Sequence, residues 1–371
     1  GVVSFATTPL VKALSVKVGA IDVPRDGRRM HDHPIPRMGG LAIFLGFIIS
    51  VLLLMPLDQP KQGMLLGAVI IVVLGIFDDI YALSAKLKFV VQIAAACVAV
   101  FSGNRIEVLS NPNIFSENPY WTLGSLAVPL SVIWIVAITN AVNLIDGLDG
   151  LAVGVATISS LTMLVIAMLV SENVVALMMA ALAGGCIGFM PYNLNPAKIF
   201  MGDTGSTFLG FVLATVSIQG LFKFYTIISF AVPFLMLGLP LFDTCFAILR
   251  RLAKGQSPMA PDRSHVHHRL IDMGFNQKQA VAILYVISAI LGLSAVVLTT
   301  SGALKAMVLL CALCLAGLIS GKIFLSHNEN HQEKTKEKES NDHAIESHDD
   351  LRDPPGGGED GPSGKGTGEQ S

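Results

Sequence analysis

Charge is scarce in this chain. Asp, Glu, Lys and Arg make up 14% of its 371 residues, against 52% hydrophobic residues and a mean hydropathy of +0.64. An ordinary soluble domain is about 25% charged, so this composition excludes a water-soluble globular protein and points to helices in a bilayer. Cysteine is also rare, with five in all. Cys311 and Cys314 form a C-x-x-C, but it lies in an apolar run with no other soft ligand near, so it reads as small packing residues rather than a thiol site. The spacing of a zinc helix is missing too. His265, His267 and His268 have no cysteine beside them and do not follow that pattern.

What charge there is divides unevenly. Ser326–Ser371 holds 12 acidic and 5 basic residues, a net of −7, which leaves 15 acidic and 20 basic residues, a net of +5, in the apolar body. A basic membrane body suits anionic partners such as phosphates or lipid head groups, and no nucleic acid is expected. The segment after Ser326 is polar and then Gly/Pro-rich, so it cannot bury a core and is expected to be a disordered tail. The expected organisation is a membrane domain over 1–325 and a tail over 326–371.

The apolar runs predict an all-α polytopic membrane protein. The first run, Gly1–Val18, is short for a span of about 20 residues and starts with Gly rather than Met, so the beginning of its helix is expected to be missing. Further spans are placed at 38–55, 63–77, 86–102, 124–142, 150–170, 174–191, 205–219, 226–249, 278–300 and 303–325, about eleven in total on the usual length criterion. Arg25, Arg28, Arg29 and Arg37 in one loop, and Arg250, Arg251, Lys254, Arg263, Arg269 and Lys278 in another, predict that both loops are cytoplasmic. The amino terminus then faces outward and the tail inward. The opposite loops carry little charge.

With that parity every polar cluster falls on one face: Pro36–Gly40 (PRMGG), Phe77–Asp79 (FDD), Thr139–Gly150 (TNAVNLIDGLDG), Asn193–Ser206 (NLNPAKIFMGDTGS) and Asp262–Leu270 (DRSHVHHRL). One composite site at the inner membrane face is the economical reading. Asn140, Asn143, Asp146 and Asp149 recur every third residue where an apolar helix leaves the membrane, with Gly147 and Gly150 placed to end that helix. Two amides and two carboxylates there suit a metal or a polar ligand; helix capping is their bland use. Asp78 and Asp79 end another apolar helix, where acids oppose the macrodipole and need compensation by a metal, a cation or water. Lys88 either snorkels to the interface or supplies charge to a phosphate. Asp203 is a metal ligand or simply the N-cap of the next helix. Arg263 with His265, His267 and His268 suits a pyrophosphate or a sugar, through guanidinium forks and imidazole donors.

In this order, PRMGG, FDDIYALSAKLK, TNAVNLIDGLDGLAVG, FMGDTGSTFLG and HVHHRL closely resemble the polyprenyl-phosphate N-acetylhexosamine-1-phosphate transferase family, from the first helix to about Phe324. The H-x-H-H form is closer to the branch that uses UDP-N-acetylglucosamine, including initiators of teichoic acid and O-antigen synthesis. The branch that transfers phospho-MurNAc-pentapeptide has a different His-rich stretch, ending in Phe-Glu where this chain has Arg269-Leu270. The resemblance implies transfer of GlcNAc-1-phosphate from UDP-GlcNAc to undecaprenyl phosphate with release of UMP, at the inner face of a bacterial plasma membrane. It implies Mg²⁺, with Mn²⁺ as an allowed substitute, and it allows a homodimer. By that resemblance Asn143 and Asp203 match metal positions, and Asp78, Asp79 and Lys88 match the catalytic acid pair and phosphate-binding lysine. Asn140, Asp146 and Asp149 then fall on the uridine side, and Arg263 with His265, His267 and His268 on the pyrophosphate and sugar side. A membrane prenyltransferase would also carry Asp-rich metal loops, but has no need of the histidines. A transporter would place its ionisable groups near the bilayer midplane.

Overall fold

Gly202–Gly220 forms the helix around which the others pack, and 17 of its 19 residues are buried. Sequence explains why. Its Gly, Ser and Thr residues let neighbouring backbones approach closely, and the hydroxyls of its later turns bond within the helix: Thr215 Oγ1 donates to the Phe211 carbonyl at 2.8 Å and Ser217 Oγ to that of Ala214 at 2.7 Å. A Cβ on Gly40 would lie 1.9 Å from Gly205 Cα, and one on Gly75 would lie 2.4 Å from Thr204 Cα, so two further helices touch this one backbone to backbone.

The computed structural model describes residues 1–23, 33–110, 118, 120–220, 228–253, 255 and 265–300, all within one compact unit, Gly1–Ser320. Among them are twelve α-helices: α1 (Val2–Val18), α2 (Gly40–Leu54), α3 (Gln59–Tyr81), α4 (Ala85–Phe101), α5 (Ala127–Leu144), α6 (Leu151–Leu169), α7 (Asn173–Asn193), α8 (Gly202–Gly220), α9 (Ile228–Met236), α10 (Gly238–Ala253), α11 (Val266–Asp272) and α12 (Gln277–Thr299). Two short antiparallel pairs join loops, Ile21–Asp22 with Ile35–Pro36 and Val108–Ser110 with Tyr120–Thr122. Helix α8 lies against α2, α3 and α5, α6 packs on α7 and α12, and α1 packs on α2 and α7.

The all-α membrane architecture stands as expected. Among the described residues, five helical stretches are long and apolar enough to cross a bilayer: Gln59–Tyr81, Gly124–Leu144, Leu151–Leu169, Asn173–Asn193 and Gln277–Thr299. The expected span at 226–249 is two helices, α9 and α10, divided at Leu237. Helix α8, also read as a span, owes its central place to small polar residues packed among other helices rather than to apolarity. The 303–325 span, the tail and Arg263 lie outside the described residues.

Chain direction brings the polar motifs together. The starts of α2, α4, α6 and α8 and the ends of α3, α5 and α7 share one end of the bundle, and these are the positions of PRMGG, Lys88, Gly150, GDTGS, FDD, Asn143 and Asn193.

Candidate active site

The acid pair ends α3, whose start is capped by Asp58, accepting from Lys61 N at 3.0 Å. Ala82, with φ +51°, stops the helix, and Asp78 Oδ1 accepts from Leu83 N at 2.7 Å across that stop. Ser84 then caps α4 and places Lys88 in its first turn. Lys88 Nζ lies 2.8 Å from both Asp78 Oδ2 and Asp203 Oδ2. The cation that the helix terminus requires is therefore Lys88, which bridges carboxylates 125 positions apart in the chain.

Asp79 faces the start of α8. Its Oδ1 accepts from Asp203 N at 3.0 Å, and its Oδ2 accepts from Thr204 N at 3.1 Å and Thr204 Oγ1 at 2.7 Å. It caps α8 from another helix, the task that sequence alone offered to Asp203. A Cβ on Gly202 would lie 2.4 Å from Asp79 Oδ2, so this contact needs glycine, whose φ of +72° is also left-handed. Asp203 is thereby left free to meet Lys88.

PRMGG forms the third side. Phe200 N donates to the Pro36 carbonyl at 2.8 Å, and Gly39 N and Gly40 N donate to the carbonyls of Phe200 and Met201, each at 2.9 Å. This ties residues 36–40 to the chain entering α8 and puts the Arg37 guanidinium beside three carboxylates: Asp79 at 3.4 Å, Asp203 at 3.7 Å and Asp22 at 3.9 Å. Burial alone would lower the Arg37 pKa, but Asp79, Asp203, Asp22 and Asp146 hold it above its ordinary value.

From α5, Asn143 Oδ1 accepts from Ser206 Oγ at 2.6 Å, one turn along α8 from Asp203. Asn140, a turn earlier, donates to Gln92 Oε1 at 2.6 Å and the Val136 carbonyl at 2.8 Å, tying α5 to α4. Asp146 follows the end of α5. Burial pushes its carboxyl up to about 7, Asp203 adds to the shift, and Arg37 opposes it. Asp149 fixes the loop after α7, its Oδ2 accepting from Asn195 Nδ2 at 2.9 Å and Ala197 N at 3.0 Å. Gly150, at φ +79°, starts α6. The structure thus joins Asp203, Asp78, Asp79 and Lys88 through direct contacts and brings Asn143 to the same turn of α8 through Ser206, while Asn140 and Asp149 act on neighbouring helices and loops.

The histidines stand at α11. His265 Nδ1 lies 2.9 Å from Asp243 Oδ2, and Asp243 Oδ1 accepts from Val266 N at 2.9 Å, so one carboxylate orients the ring and caps the helix. The His265 and His267 rings stack with centroids 5.8 Å apart, and His268 lies 4.3 Å from His267. His267 rests on the NLIDGLDG turn, where a Cβ on Gly147 would come within 2.4 Å of its Nε2. Burial lowers the His267 pKa to about 4, helped by neighbouring His268, so this ring is neutral near pH 7.

Among the described residues no group of three or more His, Cys, Asp or Glu is arranged to hold a metal. What the site offers is an amide oxygen, Asn143, and a carboxylate, Asp203, related through Ser206. That is an all-oxygen set suited to a hard cation that takes its other ligands from phosphates and water.

Residues 62–221, which span α3 to α8, match the description Glycosyl transferase family 4. The chain is 44% identical over 295 residues to a probable undecaprenyl-phosphate N-acetylglucosaminyl 1-phosphate transferase of Bacillus subtilis, covering 79% of this chain and 81% of that protein. This chain belongs to glycosyl transferase family 4. A decaprenyl-phosphate N-acetylglucosaminephosphotransferase of Mycolicibacterium smegmatis is 34% identical over 76% of each chain. An undecaprenyl-phosphate alpha-N-acetylglucosaminyl 1-phosphate transferase of Escherichia coli O157:H7 is 28% identical, covering 84% of this chain and 85% of its own. Membership agrees with the resemblance carried by the ordered motifs, and with a membrane-integral protein.

Four site residues of this glycosyl transferase family 4 member have no role of their own in the motif reading. Arg37 lies in PRMGG, but its charge reads first as a topology signal. Ser206 and Thr204 have meaning only once α8 meets α5 and α3. Asp243 did leave a trace, as a lone acid in an otherwise apolar run, Gly238–Ala247.

Proposed function

We propose that the protein transfers GlcNAc-1-phosphate from UDP-GlcNAc to undecaprenyl phosphate, giving undecaprenyl-diphospho-GlcNAc and UMP. The observation that carries the reading is Lys88 held at 2.8 Å from both Asp78 and Asp203 at the mouth of the bundle. The names of its relatives support the lipid and the sugar. An oxygen of the lipid phosphate attacks the sugar-bearing phosphorus, the bond to the UMP phosphate breaks, and UMP carries away the electron pair.

A phosphate monoester has a second pKa of about 6 and is largely ionised at pH 7, so it needs positioning rather than a general base. The contacts of the acid pair support direct displacement. Asp79 is committed to Asp203 and Thr204, and Asp78 to Leu83 N and Lys88, so neither is poised as a covalent nucleophile. In this reading Asp79 positions α8, Asp78 orients Lys88, and Lys88 meets phosphate charge. Asn143 and Asp203 would hold Mg²⁺, which would supply positive charge against the diphosphate and the departing UMP. Asp146, Asn140 and Asp149 shape the uridine side, and His265, His267 and His268 with Arg263 the sugar and pyrophosphate side.

The setting we propose is a bacterial plasma membrane, with the site on the cytoplasmic face, about eleven spans, the amino terminus outside and residues 326–371 as a cytoplasmic tail. The product feeds an envelope polysaccharide such as teichoic acid or O-antigen. Purified protein incubated with undecaprenyl phosphate, Mg²⁺ and a panel of UDP-sugars tests the activity. UMP release is expected with UDP-GlcNAc. Its absence there, or preference for UDP-MurNAc-pentapeptide, defeats the reading.

A further inference from the structure

We infer that Arg37 is a phosphate-binding residue of this site: its guanidinium is mounted beside Asp203 to donate to a substrate phosphate. The inference rests on the transferase reading above and assigns a residue that the motif resemblance did not.

The two cations of the cluster are engaged differently. Lys88 makes two 2.8 Å contacts to carboxylate oxygens. Arg37 has three carboxylates around it, but at 3.4, 3.7 and 3.9 Å, and its guanidinium makes no hydrogen bond to any of them. Charge-assisted N–H···O bonds have lengths of about 2.7–2.9 Å, so Arg37 is held by field rather than by contact. Its side chain is 32% exposed, so the guanidinium is open to solvent and to a ligand. It has five N–H donors, and a ligand that brings oxygen atoms can accept from those that the carboxylates do not.

The backbone around Arg37 is fixed, unlike that of a surface arginine that follows its counter-ion. Arg37 N donates to the Ala20 carbonyl at 2.9 Å, Pro36, Gly39 and Gly40 are bonded to residues 200–201, and Gly40 abuts Gly205 with no room for a Cβ. Met38, the next residue, is buried with φ +73°, a left-handed conformation unfavourable for a non-glycine residue. Such a conformation persists where the surroundings impose it, and the same packing fixes the backbone that carries Arg37.

Electrostatics points the same way. Asp78, Asp79 and Asp203 gather where the proposed reaction joins two phosphate-bearing substrates, and Lys88, already bridging two of these acids, cannot alone admit them. Arg37 offers the planar fork that suits phosphate oxygens. The phosphate belongs either to the nucleotide diphosphate or to the lipid, and separate binding measurements tell these apart.

The test uses the full-length protein in nanodiscs, with R37Q and R37K. Calorimetry follows UDP-GlcNAc and undecaprenyl phosphate separately, uridine serves as a phosphate-free control, and Mn²⁺ binding is read by electron paramagnetic resonance. R37Q is expected to weaken at least one phosphate ligand about 10- to 100-fold and leave uridine unchanged. R37K, with the charge but not the fork, is expected to recover only part. Wild-type affinity for both phosphate ligands in R37Q, with tighter Mn²⁺ binding, would make Arg37 a counterweight to the acids and overturn the inference. If R37Q does not fold, R37K decides: a several-fold loss for either phosphate ligand supports the inference and unchanged affinity overturns it. Failure of the transferase reading is seen separately, as absence of UMP release by the wild type.

Discussion

Thr204 gives both its backbone N–H and its hydroxyl to Asp79 Oδ2, at 3.1 and 2.7 Å. The second acid of the FDD motif is therefore a remote cap that ties α3 to α8, while the first meets Lys88. Adjacent carboxylates have separate tasks, and their substitutions should separate as well.

Asp79→Ala removes the acceptor of three donors at the buried start of α8. Loss of a buried, charge-assisted acceptor costs on the order of 3 kcal/mol, so the melting temperature in detergent should fall clearly and turnover with it. Thr204→Val removes one donor and should cost about 1 kcal/mol. Asp78→Ala should abolish UMP release with a smaller change in melting temperature. Equal stability losses for Asp78→Ala and Asp79→Ala would contradict this division.

The metal assignment has a sensitive reporter in Ser206. Its hydroxyl donates to Asn143 Oδ1 at 2.6 Å and accepts nothing that a metal needs, so its work is to aim the amide. Asp203→Ala and Asn143→Ala should remove most activity. Ser206→Ala should keep the maximal rate within a few-fold while raising the Mg²⁺ concentration needed for half-activity by about tenfold, in keeping with the 10- to 100-fold effects of residues that orient metal ligands. Titrating Mg²⁺ against initial rate for the three variants checks this. Wild-type Mg²⁺ dependence in all three would remove Asn143 and Asp203 from the metal.

Much of this site was legible in the sequence, for reasons that differ by residue. Asp78, Asp79, Asn143 and Asp203 stand out because acids and amides at the ends of apolar helices are chemically conspicuous, and alternating helix direction sends them to one end. Arg37 was hidden because a loop arginine has an obvious alternative use in topology. Ser206 was hidden because serine in a membrane helix usually bonds its own backbone, and here the Gly202 carbonyl, 3.0 Å from Oγ, competes with Asn143 Oδ1 for the single hydroxyl proton. The break at Leu237 escapes hydropathy because both sides of it are apolar, although Pro233, Gly238 and Pro240 beside it were the local signal for an interrupted helix. Helix α8 shows the converse, since its modest apolarity conceals its central place.

The His267 environment sets a pH dependence with a definite sign. Its folded pKa, about 4, is below the ordinary 6.5, so the unfolded chain binds a proton that the folded site resists. The stability this ring contributes is complete above about pH 6.5 and is lost as pH falls from there toward 4. At 1.36 kcal/mol per pKa unit the total is on the order of 3 kcal/mol. Asp146 has the opposite sign: with a folded pKa of about 7, its contribution is present below the ordinary carboxylate range and lost as pH rises through 7. Thermal unfolding between pH 4 and 8 should show His267→Gln flattening the acidic side and Asp146→Asn flattening the neutral side. A variant with an unchanged profile refutes the corresponding assignment.

Gly147 links the two halves of the site, because His267 Nε2 lies where its Cβ would be, at 2.4 Å. Contact at that distance cannot be absorbed, and His267 is 3% exposed, so the ring has little room to retreat. Gly147→Ala should therefore push α11 away from the turn that carries Asp146, while the Lys88–Asp78–Asp203 cluster, which His267 does not touch, keeps its contacts. The expected signature is a KM for UDP-GlcNAc raised about tenfold or more, the scale of a lost hydrogen bond to a charged group, with the KM for undecaprenyl phosphate changed far less. Gly147→Ala combined with His267→Ala removes both sides of the clash. If steric displacement of α11 is the cause, the double variant should be no worse than His267→Ala alone. An additive loss, or an equal rise in both KM values, would mean that Gly147 serves the fold of the NLIDGLDG turn itself and not its contact with His267.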